Sequence, residues 1–316
     1  MRERLTPGAL RPPRRAVVAV IAVVAVALPL AASSIAGAWP GSTRAAPVSA
    51  RTAPGDPAPA RPVTAEERQL LSHAESLLTR DCMTRAGFQM WLDASPPADE
   101  LRTFPYIVDD LAWARRHGFG LDLVDAVDAR RLADPNQRYV SGLSPERRGA
   151  LLAALNGPRP EGLEARLPSG GVMRRSAEGC TSEAQRQLYG DLTEWYRANK
   201  VVADLTYLRQ RRVLADPAWT AALRPWARCL RQQGYAADSP QRLRESVGDR
   251  DRAAEIAAAV AEARCAEDGL AATVRELDAR HGDELAAAYH QDVATRNRLE
   301  HEAIPRARAV VAAEQE

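Results

Sequence analysis

From residue 64 onward, apolar positions recur every three or four residues, the spacing of a helix buried along one side. Thr64-Ala65-Glu66-Glu67 reads as a capping box, in which the threonine accepts from the N3 amide and the glutamate reaches back. Leu70, Leu71, Ala74, Leu77, Leu78 and Cys82 then share a face, and Gly87 supplies the stop. Pro105 opens a short helix through Ala112 and Trp113 that ends near Gly118. Ser144-Pro145-Glu146 opens another, with Leu151, Leu152 and Leu155 inward and Asn156-Gly157-Pro158 closing it. A long helix is expected from Thr181 to Leu214, burying Leu188, Leu192, Trp195, Val202, Leu205 and Leu208. Asp216-Pro217 begins the next, which ends at Gly234, and Ser239-Pro240 begins a short one. From Arg250 the chain is Ala-rich and helical almost to its end, with Gly269, Gly282 and Pro305 as candidate kinks or breaks. Residues 157–179 carry glycine and proline breakers at both ends. A hairpin around Ser169-Gly170-Gly171 is the one strand candidate there, on weak alternation. No segment after residue 64 has clear strand periodicity.

The N-terminus follows a different pattern. Residues 1–15 carry five arginines and one glutamate, a net +4. Residues 16–43 carry no charge, and 16–38 are strongly apolar. Basic residues ahead of an apolar run stay inside, which puts everything beyond it outside the cytoplasm. Two readings of 16–38 stand. Ala36-Gly37-Ala38 fits the exit site of a cleaved signal, whereas a membrane anchor needs about 20 apolar residues, which the segment supplies. Length favours the anchor. Residues 39–63, rich in Pro, Ala, Ser, Thr and Gly, read as a flexible linker.

The whole chain of 316 residues is formally +2, so the part beyond residue 15 is −2. That balance argues against a nucleic-acid partner, which needs a concentrated basic face. Lys200 is the sole lysine. Such arginine bias, with abundant Ala and Pro, is explained by GC-rich coding before any phosphate-binding surface.

Four cysteines behind an export segment point to two disulfides. Cys82 opens Cys-Met-Thr-Arg-Ala-Gly-Phe and Cys229 opens Cys-Leu-Arg-Gln-Gln-Gly-Tyr, each the last turn of a helix stopped by glycine and followed by an aromatic. Four cysteines allow three pairings. The repeated phrase suggests that each copy pairs downstream, Cys82 with Cys180 and Cys229 with Cys265. No Cys-x2-Cys spacing suggests a metal or redox site.

Leu143-Ser144-Pro145-Glu146-Arg147-Arg148, Glu178-Gly179-Cys180-Thr181-Ser182-Glu183-Ala184 running into Leu188-Tyr189-Gly190-Asp191, Trp226-Ala227-Arg228-Cys229 and Ala263-Arg264-Cys265 resemble stretches of a family of uncharacterised exported proteins from actinobacteria. The resemblance covers most of residues 64–300 and implies a four-cysteine helical architecture and an exported location. It implies no chemistry.

Candidate chemistry is sparse. His73, His117, His281, His290 and His301 form no His-x3-His or His-Glu-x-x-His pair. His290 and His301 with Glu284, Glu300 and Glu302 are expected on a solvated helix face. Ser169-Gly170-Gly171 lacks the Gly-x-Ser-x-Gly frame of a nucleophile elbow and reads as a turn. Asp109-Asp110 near Trp113, and Asp191 with Glu194 near Trp195, are carboxylate pairs beside aromatics, as in glycan hydrolases. Asp110 also suits a helix start, and Asp191 and Glu194 the exposed face of a long helix. Glu183, in the first turn after Cys180, complements its helix dipole. Tyr189 and Trp195 read as core. No catalytic, cofactor-binding or metal-ligating residue is assigned, and no cofactor is expected.

The expected fold is all-α: a disulfide-stapled bundle (64–316) with a long C-terminal helix, behind a cytoplasmic stub (1–15), a membrane or signal helix (16–38) and a linker (39–63). The expected role is a non-catalytic binding or interaction protein of the cell envelope, at the cell membrane or secreted. Its partner would be an unknown envelope protein or a second copy bound through the C-terminal helix. The alternative is an envelope hydrolase acting on glycan or peptide.

Overall fold

A computed structural model of the protein describes residues 61–92, 102–247 and 251–314. The 1–15 stub, the 16–38 apolar segment and most of the 39–63 linker lie outside these residues. Among the described residues, no helix is long and apolar enough to cross a membrane.

The expected capping box is complete. The Glu67 N–H donates to Thr64 Oγ1 (3.2 Å) and the Thr64 N–H to Glu67 Oε2 (2.8 Å), starting helix α1, Ala65–Arg85. Helix α2 (Leu111–His117) starts on Asp110, later than Pro105 suggests. Ahead of it Tyr106, Ile107 and Val108 are buried without forming a helix, in keeping with the extended preference of β-branched neighbours. Helices α3 (Leu121–Ala133) and α4 (Pro135–Gly142) were not marked by periodicity, and neither buries a residue fully. Helix α5 (Pro145–Asn156) begins on Ser144 as expected and buries Leu151, but Leu152 is half exposed.

The hairpin forms after all. Strand β1 (Gly162–Arg166) pairs antiparallel with β2 (Val172–Ser176), Gly162 opposite Ser176 and Arg166 opposite Val172. Its buried positions are Leu163 and Ala165. Two buried apolar positions leave too short an alternation to read from sequence.

The long helix expected from Thr181 to Leu214 is two, α6 (Cys180–Tyr189) and α7 (Leu192–Ala215). Gly190 takes φ 78° between them, and Asp191 then caps α7 by accepting from the Glu194 N–H at 2.8 Å. A positive φ is costly for other residues and free for glycine, so the chain turns there. The rest is α8 (Pro217–Gln232), α9 (Pro240–Val247), α10 (Arg252–Glu267), α11 (Leu270–Ala288) and α12 (His290–Ala313). The Ala-rich C-terminal stretch therefore breaks at Gly269 and again at Tyr289, while Gly282 and Pro305 sit inside helices.

Two cores result. In one, Leu71 and Ala74 of α1, Leu163 and Ala165 of β1, Leu188, Leu192, Trp195 and Tyr196 of α6–α7, and Leu299, Ala303 and Ala307 of α12 pack together. In the other, Trp219, Trp226 and Leu230 of α8 meet Leu243 of α9, Ala258 and Ala261 of α10, and Leu270, Val274 and Leu277 of α11. Each core has a disulfide beside it. Cys82 bonds to Cys180, joining α1 to α6 (Cα–Cα 5.4 Å), and Cys229 bonds to Cys265, joining α8 to α10 (5.6 Å).

Helix α10 also buries two acids. Glu255 Oε1 accepts from the Phe119 (2.8 Å) and Leu121 (3.2 Å) N–H groups, and its Oε2 pairs with Arg252 at 2.7 Å. Arg252 in turn donates to the His117 and Arg116 carbonyls, at 2.9 and 2.8 Å. One ion pair thus closes the C-terminal end of α2 and the N-terminal end of α3, whose own cap residue, Gly120, has no side chain to offer. Gly118 lies against it at φ 59°, where a Cβ would come within 2.8 Å of Glu255 Oε1. Glu262 Oε2 accepts from the Val108 N–H at 3.1 Å, and Arg244 lies 3.8 Å away. Its Oε1 is buried without a hydrogen-bond partner. Burial pushes this carboxyl up to about 7 from an ordinary 4.5, against the opposing pull of Arg244.

Three outcomes are expected. The bridges close loops with sequence separations of 98 and 36, so replacing Cys229 and Cys265 by alanine should lower the urea-unfolding free energy by about 4 kcal/mol, and the Cys82–Cys180 pair by about 5 kcal/mol. Gly118→Ala should cost about 2 kcal/mol in the same measurement, from forced φ and the clash with Glu255. The raised Glu262 carboxyl makes the native state hold a proton that the unfolded chain releases. Its contribution is full below pH 4.5 and is lost as pH rises through about 7, a change of about 3 kcal/mol. Glu262→Gln should remove that slope from a plot of unfolding free energy against pH.

Candidate functional site

Three helices bring pairs one turn apart to a single cleft of about 400 Å³. Helix α1 supplies Arg68, Ser72, Glu75 and Thr79, spaced to share a face. Helix α7 supplies Trp195 and Asn199, and α12 supplies Arg296 and Glu300. The last residue of α6, Tyr189, completes the wall.

The polar groups are held from behind. Glu75 Oε1 accepts from Gln185 Nε2 at 2.8 Å, and Glu75 Oε2 from the Tyr189 hydroxyl at 3.4 Å. Gln185 accepts in turn from Arg175 of β2 at 2.6 Å. The hairpin therefore positions Glu75 through Gln185. Arg175 stands over the Tyr196 ring, 5.1 Å from its centroid. Burial pushes the Glu75 carboxyl above its ordinary range and the Tyr189 phenol above its own, and it lowers the Arg175 guanidinium. Tyr189 and Trp195 stack at 3.5 Å with planes 10° apart. Glu300 is buried (4 % exposed) and accepts from Arg296 Nε at 3.1 Å.

Several donors in the cleft are left over. Among the described residues the Nε1 atoms of Trp113, Trp195 and Trp226 are buried without a partner, and of these Trp195 lines the cleft. The Asn199 amide makes no hydrogen bond among the described residues. Arg68 has a single long contact to the Val63 carbonyl, 3.4 Å. Leaving a buried donor unsatisfied costs about 1–3 kcal/mol, which makes Trp195 informative.

The residues singled out by sequence fall in different places. Asp110 caps α2, accepting from the Trp113 N–H at 2.9 Å, a bond that lowers its carboxyl, and it pairs with Arg102 at 2.7 Å. Asp109 pairs with Arg275 at 3.3 Å. Glu194 is in the first turn of α7 and pairs with Arg298 at 2.8 Å, and with Asp191, which is exposed as expected, it forms a helix start inside the stretch expected to be one long helix. Glu183 sits in the first turn of α6 and pairs with Arg85 at 2.7 Å. Ser169 gives its N–H and hydroxyl to Asp204, at 2.7 and 2.8 Å, inside the hairpin turn. Its amide is thus spoken for by a carboxylate of the chain itself.

The histidines are dispersed. His73 is exposed, His117 pairs with Asp122 at 2.9 Å, and His281 bridges Asp216 and Glu284 at 3.1 and 3.2 Å. His290 meets the Ala287 carbonyl and His301 the Arg61 carbonyl. Among the described residues, no group of three or more His, Cys, Asp or Glu side chains is placed to hold a metal ion. Glu302 pairs with Arg298 on a solvated face, as expected, but Glu300 does not share it: it is buried and faces the cleft. Glu284 belongs to α11, since the chain breaks at Tyr289.

Sequence reading missed Glu75, Arg68, Asn199 and Arg296. Glu75 lies between Ala74 and Leu77 on the buried side of an amphipathic helix, a place where an acid is rarely left unpaired. Tyr189 and Trp195 are core residues as expected, and they also line the cleft. No family model, curated protein or solved structure matches this chain.

Proposed function

We propose that this is an exported, non-catalytic binding protein of the cell envelope, and that its ligand enters the cleft between α1, α7 and α12. The observation that carries the reading is the imbalance inside the cleft. Both Glu75 oxygens are taken by partners of the chain, and Glu300 is paired with Arg296. Among the described residues the donors of Trp195 and Asn199 have no partner. Such a wall is suited to hold a ligand and offers no activated nucleophile. Export is supported by the basic-then-apolar N-terminus and by two disulfides, which persist in oxidising compartments. The resemblance to exported actinobacterial proteins agrees with it. Self-association through the C-terminal helix has less support, because Ala303 and Ala307 are already buried in the core shared with α1.

The hydrolase reading is favoured by one observation. Burial keeps the Glu75 carboxyl above its ordinary range in a cleft that a second acid, Glu300, also lines, as glycan cleavage uses a raised general acid and a second carboxylate.

The two are separated by incubating the purified protein with isolated cell-wall and membrane fractions. The expected result is retention on one fraction with no new reducing ends or amino termini. Product release that disappears in Glu75→Gln would establish the hydrolase instead.

A further inference from the structure

We infer that the cleft binds a small organic carboxylate, whose oxygens are received by Arg68, Arg296 and Asn199. The inference rests on the binding reading above and names its ligand class. It follows from the count of free groups. Of the four carboxyl oxygens lining the cleft, three already accept bonds, from Gln185, Tyr189 and Arg296. One of the four is left, against the donors of Arg68, Asn199 and Arg296, so the balance of the cleft favours a ligand that accepts. Arg296 uses Nε on Glu300, and its terminal NH groups remain for a second acceptor. Arg68, across the cleft on α1, carries the charge that no carboxylate of the cleft is shown to pair. Two guanidinium groups and one amide facing a single space suit a planar, two-oxygen anion, which takes charge-assisted bonds about twice as strong as neutral ones. Among the described residues three indole N–H groups are buried without a partner, those of Trp113, Trp195 and Trp226, and Trp195 is the one on the cleft wall, where an entering acceptor would meet it. The space, about 400 Å³, lies at the small end of the range for ligand pockets, about 300–1,000 Å³. It fits a peptide terminus or a sugar acid, which share the chemistry.

The test uses probes that pair a carboxylate with its own neutral amide: N-acetylglycine against N-acetylglycinamide, and glucuronate against glucuronamide. The six tryptophans provide six indole N–H signals, and Trp195→Phe identifies the one at the cleft. The expected result is a shift of the Trp195 signal by an acid and not by its neutral partner. Which acid acts tells a peptide terminus from a sugar. Arg68→Gln, at an exposed residue, should weaken that acid about tenfold with an unchanged thermal melt. A neutral probe moving the signal as strongly as its acid would overturn the carboxylate assignment and leave the binding reading standing. No movement with either acid at millimolar concentration overturns the assignment as well, while retention on envelope fractions still reports on the broader reading. An Arg68→Gln variant that binds as the parent does would remove the proposed contact.

Discussion

Burial against helix α7 is the contact on which the rest of the molecule depends. Its first turns give Leu192, Trp195 and Tyr196 to one core, and its end gives Val213 to the other. A helix of 24 residues spans about 36 Å, long enough to serve two cores without a second spine. Along that length α7 meets α12 and β1 and then α11. The cleft opens where α7 is flanked by α1 and α12. Its polar side chains are therefore mounted on helices that share one packed core, the placement that preorganised binding requires.

Few large apolar residues are available to fill these cores, and alanine takes their place. Ala258, Ala259, Ala263 and Ala266 on α10 are buried, opposite Ala114 and Trp113 of α2 in part. Small side chains bring backbones close but remove little surface from water, on the order of 25 cal/mol per Å² of apolar area. The fold compensates with directional links: two disulfides, the Glu255–Arg252 pair across two helix ends, and the Arg175–Gln185–Glu75 chain behind the cleft. The acids are costly to bury, as Glu262 and Glu75 record in their raised carboxyls. What they supply is a fixed partner for a backbone or side-chain donor.

Much of the helical framework was legible in the sequence because caps are local. Thr64, Ser144 and Asp216 each announced a helix start that is present. The break at Gly190-Asp191 carried the same kind of signal, a glycine stop followed by a capping acid, but apolar spacing on both sides masked it. Helices α3 and α4 left no trace in periodicity because neither is anchored by a buried face. The hairpin was half legible: its turn could be read at Ser169-Gly170-Gly171, its strands could not. The cleft was hardest of all. Tyr189 and Glu300 lie far apart in the chain from Glu75, and only tertiary packing brings them to one wall. Glu75 itself was legible in principle, as a charge on the inner side of its helix.

The Cys82–Cys180 bond fastens α1 three residues beyond Thr79, on the cleft wall, to the beginning of the helix that ends in Tyr189. Sulfur chemistry and ligand recognition are thereby joined in one piece of architecture. In surroundings that keep thiols reduced, those two walls would be held by side-chain packing alone, and their spacing would fluctuate. Oxidation of a single cysteine pair would then act as a maturation step, turning a loosely gated crevice into one of defined width.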